Sequence, residues 1–371
     1  MPGRILFVSY TADWTGPTHS LLLLVTHLRP RFEVAVLSQG TGLFSEALGR
    51  EGIPYFGFPS LGKSAIPAMA RLIRSKGFDL VYGNNTSRSS ANALVASRLA
   101  RVPFICHIRE MVGHGSWLRF GFLRFADATI AVSRACAQTV ARFVGQRAPH
   151  VVYNGVPVAP PEVSREEARA SLLEQLGWPG DAKVVIGVGH ISPRKGQQDA
   201  VRALAQIASR VPAAHLALVG AFDRDSTYVR ETRALARDLG LERRVALLGF
   251  RQDVQRLLPG ADVFLHTAVA DPHPRAVVEA MAAGLPVVAF AVDGVAETVL
   301  NGETGLLAPT GDIPALAEAL ATLLEWPARR DAFGRRGRQR ALTHFTAEET
   351  ARHVGDIIDR TLRSRRRAIA T

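Results

Sequence analysis

The 371-residue chain has little cysteine, little lysine and few aromatic side chains. Its two cysteines, Cys106 and Cys136, are too few for a disulfide framework or a cysteine-based zinc site. No run of about 18 apolar residues occurs, which argues against a membrane-spanning helix. The opening MPGRILFVSY enters a strand-like run without the layout of a signal peptide, so a cytoplasmic protein is expected. Aromatic residues make up 7%, and no zinc-finger or RNP-like aromatic motif accompanies the basic residues, which argues against nucleic acid as a partner. Lysine is scarcest: Lys63, Lys76, Lys183 and Lys195 stand among 45 basic side chains, and the rest are arginine. A GC-rich coding bias explains that excess of arginine.

What is present is apolar substance and positive charge. Hydrophobic residues reach 47%, enough for sizeable cores, and the length suits two domains of ordinary size. The formal net charge is +12, unevenly placed. Residues 1–150 carry 17 basic and 7 acidic side chains, residues 151–327 carry 16 and 21, and residues 328–371 carry 12 and 5. A basic surface attracts phosphorylated substrates or anionic lipid.

Apolar β-rich runs alternate with helix-period runs almost throughout. Strands are expected near 4–9, 34–38, 79–83, 103–108, 128–132 and 150–153, then near 183–188, 214–219, 245–248, 262–266, 286–290 and 305–307. Helices are expected near 18–29, 66–75 and 89–100, then near 196–209, 227–239 and 275–283. Continuous apolar runs such as VVIGVG suit strands covered on both faces. The alternation predicts an α/β protein of two doubly wound, Rossmann-like domains. Their boundary is expected in the Pro-rich stretch 156–170. Ligands in such sheets bind beyond the carboxyl ends of strands, so a cleft between two facing domains is the expected place.

Four segments at such ends could carry chemistry. In Asp271-Pro-His-Pro-Arg275-Ala276-Val-Val-Glu279, a polar loop leads into a helix whose first amides suit an anion. Asp271 could accept from a ligand hydroxyl and Glu279 could reach back over the same place. Alternatively, Asp271 caps the helix and Glu279 is solvated. In Gly187-Val-Gly-His190-Ile-Ser-Pro-Arg194-Lys195-Gly196, two cations follow a strand; the spacing is not that of a P-loop. Lys195 would meet phosphate as a point charge and Arg194 as a planar fork, unless both merely line a solvated loop. After the first strand, Gly16 permits close backbone approach, while Thr18 or Ser20 could be a helix cap. At the end of another strand stand His107, Arg109 and Glu110, where a lone histidine is as readily structural. Asp223-Arg-Asp225 spells a DxD pattern that capping of the next helix explains better than metal binding.

At this point the sequence resembles the family 4 retaining glycosyltransferases of GT-B fold. The likeness lies in Asp271 to Glu279 with EAMAAGLPVVA at 279–289, KG at 195–196, AVS at 131–133, YNGV at 153–156, GFRQDV at 249–254 and GETGLL at 302–307. It implies an acceptor-side domain over 1–165, a donor-binding domain over 166–345 and a last helix, 346–371, crossing back to the first. It implies that Glu279 binds the donor ribose, Asp271 and His107 approach the donor sugar, and Lys195 binds diphosphate. Backbone amides at Gly16, Arg275 and Ala276 would face phosphate, with His190 and Arg194 beside them. Three departures from the family pattern stand out: His190 in place of Arg, Asp271 in place of Glu, and Pro274 in place of Gly. Pro17 also replaces the second glycine of a usual pair.

The resemblance implies sugar transfer from a nucleotide-diphosphate sugar, such as a UDP- or GDP-sugar, to a hydroxyl acceptor with retention. The acceptor would be a glycan or lipid-linked molecule of bacterial surface biosynthesis, and no metal or other cofactor is expected. Alternative readings are a nucleotide-sugar epimerase and a non-catalytic sugar-nucleotide-binding protein. The basic first domain and tail suggest peripheral contact with an anionic membrane at its inner face. Arg71, Arg74 and Lys76 near Ile66 and Met69, and Arg119 and Arg124 among Trp117, Phe120 and Phe122, are the expected contacts.

Overall fold

The computed structural model describes residues 2–113, 117–145, 148–157, 163–223 and 225–370. Its contacts divide the chain into two units, one of residues 1–157 with 345–371 and one of residues 158–344. Part of the stretch expected to hold the boundary, residues 158–162, lies outside the described residues. The first unit ends at 157 rather than at the expected 165. The reason is local: Ser164 caps the helix Arg165–Leu176 in a box with Glu167, and that helix is tied into the second unit. Its Arg165 and Arg169 both reach the carboxylate of Asp262.

The first unit holds seven parallel strands: β1 (Arg4–Val8), β2 (Glu33–Gln39), β3 (Tyr55–Phe58), β4 (Leu80–Gly83), β5 (Phe104–Ile108), β6 (Ala128–Ala131) and β7 (His150–Val151). Their order in the sheet is β3-β2-β1-β4-β5-β6-β7. The second unit holds six: β8 (Lys183–Val188), β9 (Ala214–Val219), β10 (Val245–Gly249), β11 (Val263–His266), β12 (Val287–Phe290) and β13 (Gly305–Ala308). Their order is β10-β9-β8-β11-β12-β13, again all parallel. Central strands such as β5 and β9 are buried along their whole length, as sheets covered by helices on both faces require. Chain direction reverses in strand order between β1 and β4, and between β8 and β11. Each reversal is a topological switch point, where loops diverge and leave a crevice.

The last helix, Ala347–Ala370, belongs to the first unit. Its Val354, Ile357 and Ile358 share a core with Leu21, Leu24 and Val25 of the helix Gly16–Leu28. Arg31 adds ion pairs to Asp356 at 2.9 Å and Asp359 at 2.5 Å.

Candidate active site at the carboxyl ends of the second sheet

The switch point between β8 and β11 gathers the charged residues singled out above. After β8 the chain makes a 3-10 turn, Pro193–Lys195, then Gly196 at φ +66°, then the helix Gln197–Ile207. A Cβ on Gly196 would lie 2.2 Å from the carbonyl oxygen of Thr267, so only glycine lets this turn press against the loop after β11. The seam is stitched from both sides. Thr267 Oγ1 donates to the Lys195 carbonyl at 3.0 Å, and the Val269 amide donates to the Arg194 carbonyl at 3.0 Å.

That seam brings Lys195 Nζ to 2.5 Å from Asp271 Oδ2, with both side chains largely buried. His266, the last residue of β11, places Nε2 3.2 Å from the same oxygen. Burial pushes the Asp271 carboxyl up, but His266 and Lys195 together outweigh it and hold the group well below the usual carboxylate range. Burial lowers the pKa of His266 despite Asp271. Asp271 does not cap the following helix: Pro274 is the N-cap residue of Arg275–Ala282, and no side chain caps that end. Nor is Glu279 solvated. Its carboxylate accepts from Arg275 Nη2 at 3.0 Å, one turn back. Burial raises the Glu279 pKa against the pull of Arg275, and burial lowers that of Arg275 against the pull of Glu279.

Arg194 and His190 are exposed, and neither pairs with a carboxylate among the described residues. Arg194 Nη1 donates to the Ala270 carbonyl at 2.9 Å, which props the loop that carries Asp271. The His190 carbonyl accepts from Gln197 Nε2 at 3.0 Å, while Gln197 Oε1 accepts from the Ser192 amide at 3.1 Å. Asp293, after β12, accepts from the Asp271 amide at 2.9 Å and adopts φ +41° to do so. Gln197, His266 and Asp293 are supporting residues that the motif reading missed. Two of them lie at strand ends, which is the signal that could have found them.

Further along the same edge, a pocket of about 590 Å³ lies beyond β9 and β10. Ala221, Phe222, Arg233 and the residues 247–250 line it, and the Arg233 guanidinium stands 5.6 Å from the Phe222 ring centre. Gly220 brings the turn after β9 against the turn after β8: a Cβ there would meet the Gly189 carbonyl oxygen at 1.9 Å.

The remaining sequence candidates belong to the first unit. Gly16 opens its helix behind Thr15, which is the cap, with Thr18 completing the capping box. Ser20 is therefore not a cap. A Cβ on Gly16 would meet nothing within 4 Å, so packing alone does not call for glycine there. His107 is fully buried in β5; Nδ1 lies 2.6 Å from the Tyr82 hydroxyl, and Nε2 has no partner among the described residues. Burial and then Arg109 hold its pKa well below the usual histidine value, so the ring is neutral. Arg109 bridges Asn84, from Nε at 2.9 Å, and Asn154, from Nη1 at 2.5 Å. This ties the ends of β4 and β5 to the loop after β7. In the DxD segment Arg224 lies outside the described residues. Asp223 accepts from the Asp225 amide at 3.0 Å, and the cap position falls to Ser226 without a side-chain bond, so capping by these acids is corrected to a local turn. Among the described residues no group of three histidine, cysteine or acidic side chains is placed to hold a metal.

Residues 14–159 match the family model described as Glycosyltransferase Family 4, and residues 168–340 match that of Glycosyl transferases group 1. HepE of Anabaena, solved with UDP and glucose, superposes with a TM-score of 0.86 at 28% identity, over 96% of this chain and 99% of that one. WaaG, described as a glycosyltransferase of lipopolysaccharide biosynthesis, shares the fold with a TM-score of 0.70 at 19% identity, over 95% of this chain and 99% of that one. A GDP-mannose-dependent alpha-(1-6)-phosphatidylinositol monomannoside mannosyltransferase of Mycolicibacterium smegmatis is 32% identical over 242 residues, 59% of this chain and 59% of its own length. The chain thus spans little more than half of that curated relative. With both halves matched in order and the expected pair of parallel α/β units in place, the chain belongs to the family 4 glycosyltransferases.

Proposed function

We propose that the chain transfers a sugar from a nucleotide-diphosphate sugar to a hydroxyl of a glycan or lipid-linked acceptor in bacterial surface biosynthesis, with retention. The observation that carries this reading is the pairing of Lys195 with Asp271 at the switch point between β8 and β11. One group suits a diphosphate and the other suits sugar hydroxyls. The pocket beyond β9 and β10 has room for a nucleoside, with Phe222, Phe250, Leu247 and Arg233 in its walls. Strands in a sheet lie about 4.8 Å apart, so pocket, cations and carboxylate follow one another along the edge over about 14 Å. That order is base, diphosphate, sugar. HepE carries UDP and glucose, which supports the same donor chemistry.

In the proposed step the anomeric carbon–oxygen bond to the diphosphate breaks as the acceptor oxygen bonds to the same face. The acceptor proton passes to a departing phosphate oxygen. Lys195 and the first amides of the helix Arg275–Ala282 stabilise the leaving charge, and one such donor is worth about 3 kcal/mol. Glu279 holds the ribose and Asp271 the sugar. No cofactor beyond the donor is proposed, because fixed cations and backbone dipoles serve the leaving group.

Isothermal titration against UDP-, GDP- and ADP-sugars, followed by acceptor-dependent release of the nucleoside diphosphate, tests the reading. Lys195→Ala should lower turnover roughly 100-fold while the protein stays folded. Undiminished transfer by that variant would remove Lys195 from the mechanism, and no binding of any sugar nucleotide would remove the function.

A further inference from the structure

Among the described residues only two other than glycine hold a backbone φ in the left-handed region: Arg101 at +61° and Asp293 at +41°. Arg101 stands one place beyond Ala100, the C-cap of the helix Arg88–Leu99, where helices commonly end in that conformation. Asp293 ends no helix. It follows β12 and precedes the short helix Val295–Thr298. A backbone of this kind persists only where its surroundings over-determine it, and such strain gathers at functional sites.

The surroundings here are the loop that carries Asp271. Asp293 Oδ2 accepts from the Asp271 amide at 2.9 Å, and the Gly294 amide donates to the Asp271 carbonyl at 3.1 Å. A Cβ on Gly294 would lie 2.1 Å from the Pro272 carbonyl oxygen, so the two loops meet backbone to backbone. From the other side, the loop after β8 holds the same segment through Arg194, bonded to the Ala270 carbonyl at 2.9 Å and to the Val269 amide at 3.0 Å. Pro272 and Pro274 have no N–H to donate, so the loop depends on these neighbours for its place. The hold also brings two carboxylates together. Burial pushes the Asp293 carboxyl up, the bond from the Asp271 amide draws it down, and the charge of Asp271 raises it again. Like charges alone would separate the two groups.

We infer that Asp293 is a positioning residue: its side-chain oxygen, carried on a strained backbone, fixes the Asp271 main chain so that the Asp271 carboxylate meets the donor sugar in one orientation. This rests on the reading of Asp271 as the group that binds sugar hydroxyls. What matters at position 293 is the acceptor oxygen and not the charge. Asparagine keeps that oxygen and tolerates the backbone angle. Glycine relieves the angle and deletes the oxygen.

Hydrogen exchange at the Asp271 amide tests the hold without any substrate. It should quicken about tenfold or more in Asp293→Gly and stay near the parent rate in Asp293→Asn. Turnover should fall about tenfold or more in Asp293→Gly, while the affinity for UDP or GDP stays within about threefold and Asp293→Asn keeps most of the activity. The melting temperature of Asp293→Gly should stay within about 2 °C of the parent, because relief of the backbone offsets the lost bond. Unchanged exchange in Asp293→Gly overturns the inference, as does full turnover in that variant. A loss of turnover that Asp293→Asn shares equally also overturns it, since the charge and not the hold would then be at work. So does a fall in melting temperature that accompanies the loss, which would make Asp293 a structural residue only. If the parent chain transfers no sugar, the proposed function fails, and exchange at the Asp271 amide still decides whether Asp293 holds that loop.

Discussion

Asp271 and Lys195 satisfy one another, and that has a consequence for binding. In the proposed reaction a nucleoside diphosphate must draw Lys195 away from a carboxylate 2.5 Å distant before it gains the ammonium. Asp271→Asn removes the competing charge and nearly nothing of the volume. A charge-assisted hydrogen bond is worth about 1.5–3 kcal/mol, so UDP or GDP should bind roughly tenfold more tightly to this variant. Transfer should fall at the same time, because the asparagine holds sugar hydroxyls without the negative charge. Calorimetry with the nucleotide alone checks the first effect, and affinity no better than that of the parent chain would mean that the pair does not gate Lys195. Both residues were legible in the sequence because each follows an apolar run, and because lysine is rare in this chain. Their supports were not. Asp293 lies 22 positions from Asp271, and nothing local marks its carboxylate as the acceptor for that amide. Glu279 was legible as a candidate, but its pairing with Arg275 replaces the solvated alternative.

Elements buried on both faces were the easiest to read. The runs at 183–188 and 214–219 match β8 and β9, because a strand covered on both faces is apolar over most of its length. β3 was missed: YFGF is four residues long, contains a glycine and forms the sheet edge, so it carries neither length nor a strong pattern. The ties between elements are also invisible in sequence. Asp262, just before β11, accepts from the Val184 amide at 2.8 Å and pairs with Arg169 at 3.0 Å and with Arg165 and Arg330 at 3.3 Å. One carboxylate, 6% exposed, thereby joins β8, the helix Arg165–Leu176 and the helix Pro327–His344. Asp262→Ala strands the arginines and an amide. Breaking a buried pair from one side costs about 3 kcal/mol or more, which lowers the melting temperature of a domain this size by about 10 °C. Thermal unfolding checks this, and a drop under about 2 °C would show that the arginines find other partners.

The division of the molecule into two units was legible from strand–helix alternation, and the break after 157 falls within the Pro-rich stretch 156–170, although only packing of the helix Arg165–Leu176 assigns its end. Each unit also buries a histidine at the carboxyl end of a central strand: His107 in β5, beside Tyr82 and Arg109, and His266 in β11, beside Asp271 and Lys195. Burial is the largest cause of the lowered pKa in both. An unfolded histidine takes its proton near pH 6.5. The folded chain refuses it until lower pH, so between pH 6.5 and the folded values the unfolded state binds more protons and stability falls as the pH is lowered. Each histidine can contribute up to about 1.4 kcal/mol per pH unit in that window. The carboxylates have windows of their own. The depressed Asp271 contributes stability above about pH 3.9 that is lost only as pH falls through its folded value. The raised Glu279 contributes in the opposite sense, with stability present below about pH 4.3 and lost as pH rises through its folded value. Thermal unfolding from pH 8 to pH 5.5 should therefore show a melting temperature that is level at first and then declines below about pH 6.5. His107→Gln, which can still bond to the Tyr82 hydroxyl, should make the decline shallower, and His266→Gln should do so independently in the other unit. A decline of the same steepness in both variants would place the proton uptake outside these two strands.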